Sequence, residues 1–182
     1  MNLTHEQLEN DLKAIIQSGP INELTFYQVN PNFFEFADEG YWIIDGGVEI
    51  KFPAGVVSAA FSPDLESYVI ENRPLSEIYT HNNHVALHNE NIAEVEKCRG
   101  LNVINAEFKS LEFEYIVDYT MRTEKEQRFV QLVLELQNKS KIQIAFIDYT
   151  LEENQGPENF SFSLMNDILV SVKNVIDVDT AS

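Results

Sequence analysis

The segment Thr80-His81-Asn82-Asn83-His84-Val85-Ala86-Leu87-His88-Asn89-Glu90 carries three of the chain's four histidines. On a helix, positions 81, 84 and 88 would share one face, because three and four residues are each close to one turn. Neutral imidazoles arrayed in that way can hold zinc or another borderline metal. Glu77 or Glu90 would serve as a further ligand or as a carboxylate that orients a ring. The spacing matches no established motif: there is no His-Glu-x-x-His and no cysteine pair, and Asn82-Asn83 interrupts the helical pattern. A metal-binding protein or metal-dependent enzyme built on His81, His84 and His88 is one reading of the chain. The competing reading of the same histidines is a polar loop or helix edge.

Other reaction chemistry has little support. Carboxylates are so abundant that Asp38-Glu39 and Glu152-Glu153 carry no information, and two carboxylates facing across a cleft cannot be read from spacing. There is no Gly-x-Ser-x-Gly elbow, no dinucleotide fingerprint and no glycine-rich phosphate cradle among the 7 glycines. Cys98 is the single cysteine and so forms no internal disulfide. Lys97 and Arg99 flank it, and two adjacent cations can lower a thiol pKa, but no nucleophile signature surrounds it. The sequence leans away from an enzyme.

Charge is the more informative property. The 182 residues include 30 acidic and 12 basic side chains, a formal net charge of −18. Such a chain repels phosphate, which disfavours nucleic acid and anionic membranes as partners. The charge is also uneven. Residues 1–96 hold 16 acidic and 3 basic side chains, whereas residues 97–182 hold 14 and 9. Within the acidic half, Phe33-Phe34-Glu35-Phe36-Ala37-Asp38-Glu39-Gly40-Tyr41-Trp42 interleaves aromatics with acids. Interfaces combine aromatic anchors with a charged rim, and opposite fields speed encounter. Phe34, Glu35, Phe36, Asp38, Glu39 and Tyr41, with Asp64 and Glu66, are therefore the candidate docking residues for a basic partner protein, such as a toxin. The competing reading makes the aromatics core and the acids solubilising.

The elements that must position these residues form an α+β pattern. Thr4-His5-Glu6-Gln7 reads as a capping box, and Leu8, Leu12, Ile15 and Ile16 follow at helical spacing up to Gly19-Pro20. This predicts an N-terminal amphipathic helix. Strands are predicted over 24–29, 41–45, 48–52, 56–61 and 65–70, with 41–45 and 48–52 joined as a hairpin around Gly46-Gly47. Residues 75–100 read as a broken central helix, with Ile92, Val95 and Cys98 on one face. Strands return over 108–119, 129–136, 142–149, 160–164 and 168–172. The charged stretch 122–128 reads as a solvated turn, and 151–159 as a surface loop.

The sum is one domain over residues 1–182: a mostly antiparallel twisted sheet of about six to nine strands, a meander of hairpins, with the N-terminal and central helices packed on it. Residues 49–61 and 134–146 share a strand-turn-strand pattern ending in Ala-Phe, consistent with a repeated hairpin. The expected core is Leu8, Leu12, Ile15, Trp42, Ile44, Ile50, Phe52, Phe61, Phe113, Tyr115, Val117, Val133, Ile144, Phe146 and Val170. The start Met1-Asn2-Leu3-Thr4-His5-Glu6 lacks the basic and apolar regions of a secretory signal. No apolar run approaches the roughly 20 residues needed to cross a bilayer. A cytoplasmic protein is expected.

In type, a small acidic α+β chain with one cysteine and no catalytic signature resembles the immunity proteins that protect bacteria from their own toxins. That likeness implies inhibition by docking on a basic protein. It rests on no residue motif, so it assigns no site residue. A structural or regulatory domain, whose acidity serves only solubility, is the third reading.

Overall fold

A computed structural model describes residues 4–29, 34–36, 40–78, 88–90, 93–116, 123–151, 156–172 and 174–180. The first element is α1 (His5–Ile16). Its capping box is formed as the sequence predicts: the Thr4 hydroxyl accepts from the Gln7 amide, and the Gln7 side chain accepts from the Thr4 amide. Leu12 and Ile16 are fully buried, while Leu8 and Ile15 pack at the margin of the core. The helix closes at Ser18, whose hydroxyl donates to the Ile15 carbonyl. Gly19 and Pro20 then carry the chain into the sheets.

Among the described residues twelve strands follow, and they build two sheets instead of the one expected. The first sheet contains β1 (Glu23–Gln28), β4 (Gly47–Phe52), β5 (Gly55–Ser62), β6 (Ser67–Glu71) and β7 (His88–Glu90), in the order β6-β5-β4-β1-β7. The second contains β2 (Phe34–Phe36), β3 (Tyr41–Ile44), β8 (Val103–Ile116), β9 (Thr123–Leu136), β10 (Lys141–Leu151) and β12 (Asp167–Ser171), in the order β2-β3-β12-β10-β9-β8. Its seventh strand, β11 (Pro157–Phe162), pairs with β10. Every pairing between these strands is antiparallel.

The two sheets share one apolar core. Two aromatic pairs cross it: Phe26 of β1 lies 5.8 Å from Trp42 of β3, and Tyr68 of β6 stacks at 5.4 Å on Phe146 of β10. Helix α1 packs against β5 of one sheet and β8 of the other. Of the expected core, Leu12, Trp42, Ile44, Ile50, Phe52, Val133, Ile144, Phe146 and Val170 are buried. Leu8, Ile15, Phe61 and Phe113 pack at its margin. Tyr115, near the end of β8, is exposed, contrary to expectation. Val117 lies outside the described residues.

Residues 41–52 do not form the expected hairpin. β3 pairs with β2 and β12, whereas β4 pairs with β1 and β5, so Asp45-Gly46 is a corner at which the chain changes sheets. The corner is fastened from the end of β1. The buried Gln28 side chain accepts from the Asp45 amide at 2.8 Å, and the Asp45 carboxylate accepts from the Val29 amide at 2.8 Å. Tyr68 adds a third bond, its hydroxyl donating to the Asp45 carbonyl at 3.2 Å. Gly46 passes so close to β1 that a Cβ there would meet the Tyr27 carbonyl oxygen at 2.2 Å and the Gln28 nitrogen at 2.8 Å. Only glycine fits.

The central region also departs from expectation. Within 75–100 the described elements are two single turns, α2 (Leu75–Ile78) and α3 (Ala93–Glu96), with β7 between them. The buried Glu49 carboxylate accepts from the Leu75 amide at 2.8 Å, which anchors α2 to β4. Residues 123–128 are strand where a turn was expected, because the β8–β9 ladder runs on to Ile116↔Thr123. Strand β11 likewise begins at Pro157, inside the expected loop. The compared segments 49–61 and 134–146 each lie within a hairpin, β4–β5 in one sheet and β9–β10 in the other.

Replacing Gly46 with alanine should cost about 3 kcal/mol or more, roughly 6–12 °C in Tm for a chain of this length. Gly100→Ala is the control. Gly100 has φ 79, but a methyl group there would meet nothing within 4 Å, so only the backbone cost of about 1 kcal/mol should appear. Thermal melts of both variants check the difference.

Candidate functional site

The predicted docking residues lie on several elements. Phe34, Glu35 and Phe36 lie on β2, at one edge of the seven-stranded sheet, in register with Ile43, Trp42 and Tyr41 of β3. Tyr41 is buried and sits edge-on to Phe160 at 6.1 Å, so it is a core residue and not a surface anchor. All four residues of β3 are buried, and Tyr41 belongs to the shared core. Asp38 and Glu39 lie outside the described residues. Asp64 and Glu66 are exposed on the turn between β5 and β6, in the other sheet. Between them Leu65 is 46% exposed, an apolar side chain flanked by two carboxylates. Glu66 holds a left-handed backbone, φ 48, at the end of that turn.

His81 and His84 lie outside the described residues, and His88 pairs with Gln28 as the first residue of β7. Among the described residues no group of three or more histidine, cysteine or acidic side chains is placed to hold a metal ion. Cys98 is buried, its thiol directed at the Glu94 carbonyl at 3.7 Å. Burial pushes its pKa up to about 11, opposite to what the flanking cations suggested. Lys97 and Arg99 turn instead to Glu94 and Glu96.

The turn carrying Asp64 and Glu66 borders a groove of about 350 Å³. Three segments distant in sequence enclose it: the start of α1 (Thr4, His5, Leu8), β6 with its preceding turn (Leu65, Tyr68–Glu71), and β9 (Lys125–Phe129). Leu8, Leu65, Ile70 and Phe129 give it apolar walls. His5 lies against Phe129 at 4.0 Å, and its Nε2 is 2.8 Å from the Ser110 hydroxyl. The groove's cations are already engaged: Arg128 with Glu126 at 2.7 Å and Lys125 with Glu112 at 2.6 Å. Behind it Arg73 holds Glu71 at 2.5 Å. Sequence reading missed this site because no spacing relates residues 4–8, 65–71 and 125–129.

The groove exists because the seven-stranded sheet splits. β9 pairs with β10 only as far as Gln131↔Ala145, and from Ile147 onward β10 continues beside β11. The first half of β9 is left with β8 alone and stands opposite β6.

Tyr149 and Asp167 form a second titratable cluster. Burial raises the Asp167 carboxyl above the usual range. A hydrogen bond from Tyr149 opposes the rise, and the nearby Asp45 and Asp148 charges add to it. Burial and the Asp167 charge push Tyr149 up to about 12.

No family model, no curated protein and no solved structure shows a significant match to this chain. No helix among the described residues is long and apolar enough to cross a membrane.

Two outcomes follow. A carboxyl whose folded pKa is raised contributes its stability below its unfolded pKa, near 4, and loses it as pH rises through the folded value. Asp167→Asn should therefore raise Tm at pH 7.5, with the gain vanishing as pH falls below about 4, as thermal melts across that range would record. Cys98 in the native protein should react with a maleimide on the order of a hundredfold more slowly than in the unfolded chain, measured by timed labelling.

Proposed function

We propose that this chain is a small acidic binding protein, an inhibitor of the immunity type, that docks on a basic partner protein. The observation that carries the reading is how the cations are spent. Of the ten lysines and arginines among the described residues, eight sit in ion pairs with carboxylates: Lys13, Lys51, Arg73, Lys97, Arg99, Lys125, Arg128 and Lys139. Lys109 lies over the Phe162 ring at 4.2 Å. Such exposed pairs add little to stability, but they cancel the positive charge locally. The remaining excess of acids then sets the field that a partner meets, and an opposite field accelerates association.

Within that field, Asp64-Leu65-Glu66 supports docking in particular. An apolar side chain held at the tip of a turn between two carboxylates combines a contact that excludes water with a charged rim. The absence of a nucleophile signature or phosphate cradle in the sequence fits a protein that acts by occupying a surface.

The test is capture of partners from an extract of the source cells at low salt, followed by identification and binding measurements on the purified pair. A basic partner is expected, with affinity falling as salt rises from 50 to 500 mM and the Debye length shrinks. Asp64→Lys/Glu66→Lys should slow its association about tenfold. Retention of no basic partner, or an affinity indifferent to salt, would sink the proposal.

A further inference from the structure

We propose that the open edge of β8, from Leu111 to Ile116, receives an extended basic segment of the partner, which adds to the sheet as a further strand. This rests on the docking reading above and deepens it by naming where and how the partner is held.

β8 ends the order of its sheet and pairs only with β9. Register shifts at Val103/Asn105 and Lys109/Ser110 interrupt its first part, and α1 reaches it there, through Lys13 at Phe108 and His5 at Ser110. From Leu111↔Arg128 to Ile116↔Thr123 the ladder runs without a shift. In such a ladder every second residue turns its N–H and C=O away from the paired strand. Among the described residues no strand lies beyond this edge, and no main-chain group outside β9 bonds to it. The side chains are open as well. Glu112 is 55% and Tyr115 44% exposed, and Glu114 is exposed between them. Unpaired main-chain groups on such an edge are what an added peptide strand satisfies.

The side-chain pattern selects the occupant. Leu111 and Phe113 pack at the margin of the core, whereas Glu112 and Glu114 stand on the other face, as strand alternation requires. A second copy of this chain on the same edge would set its own Glu112 and Glu114 against these, and like charges across a ladder destabilise it. The ribbon's own cations are engaged, Lys125 with Glu112 and Arg128 with Glu126. Glu114 and Glu124 remain as the local acidic excess over residues 111–116 and 123–128. A strand with lysine or arginine beside Glu112 and Glu114, and apolar residues beside Leu111, Phe113 and Tyr115, meets both faces. β9 in turn lines the groove beside the turn that carries Asp64 and Glu66, so the edge is continuous with the acidic docking surface.

The probe is an end-capped hexapeptide alternating lysine and valine, titrated into the isotope-labelled full chain and followed by amide NMR and hydrogen exchange. One control peptide replaces lysine with glutamate, and another is N-methylated throughout so that it cannot donate to a strand edge. With the lysine peptide, the amides from Leu111 to Ile116 should shift, and every second one should exchange at least about tenfold more slowly at saturation. The glutamate peptide should cause no shift. N-methylation should weaken binding at least about tenfold, the loss of roughly one main-chain hydrogen bond's net worth or more. Because the controls alter the peptide, no variant of the protein has to fold. Binding of the lysine peptide with these amides unmoved would overturn this edge while leaving the acidic docking surface standing. Equal binding of the N-methylated peptide would overturn strand addition. Slow exchange of the same amides without peptide, in a concentration-dependent dimer, would assign the edge to a second copy and overturn the basic occupant. No peptide binding alongside a captured basic partner would remove this edge alone, and no binding with no salt-sensitive basic partner would remove both proposals.

Discussion

The corner at Asp45-Gly46 is the constraint on which the architecture depends. A chain that turned back there, as Gly-Gly between two strands invites, would have paired β3 with β4 in one sheet. Instead Gly46 lies against the Tyr27 carbonyl, and Gln28 and Tyr68 bond the main chain of Asp45. These contacts send β4 away to pair with β1. With β3 and β4 in different sheets, Trp42 and Phe26 face each other across a shared core. The hydrogen bonds are worth about 1 kcal/mol each, but leaving any of these buried groups without a partner would cost more.

The second consequence of two sheets is that their edges need not match in length. β8 and β9 are 14 residues each, while β10 and the strands of the facing sheet are shorter. The surplus becomes a two-stranded ribbon beyond Gln131, and its base forms one wall of the groove. Long exposed edges invite unwanted pairing. β8 counters this with register shifts at Val103/Asn105 and Lys109/Ser110 and with Lys109 turned inward over the buried Phe162 ring.

A similar economy of buried polar groups ties down the end of the described chain. Gln143 is fully buried in β10, where its side-chain amide donates to the Ile176 carbonyl and accepts from the Ile176 amide. It copies a strand's hydrogen bonds with a side chain, and so fixes residues 174–178 across the sheet without another strand. Asp179 then bridges to Ser161 in parallel.

Much of the local structure was legible in the residues themselves. Thr4 and Gln7 specify a helix start wherever the helix packs, and the alternation in 108–116 makes a strand whatever lies beside it, because both signals act within a few residues. The acidic excess before residue 97 was equally plain. What the sequence could not contain was neighbourhood. Gly46-Gly47 fits a hairpin or a corner equally well, and only the approach of Tyr27 and Gln28 decides between them. Tyr41 and Tyr115 are both aromatics in strand patterns, yet one is buried in the shared core and the other exposed. The groove joins residues 4–8, 65–71 and 125–129, and no local periodicity spans those distances. Local propensity chose the elements and the charge, and long-range pairing and close packing chose their partners and the surface left open.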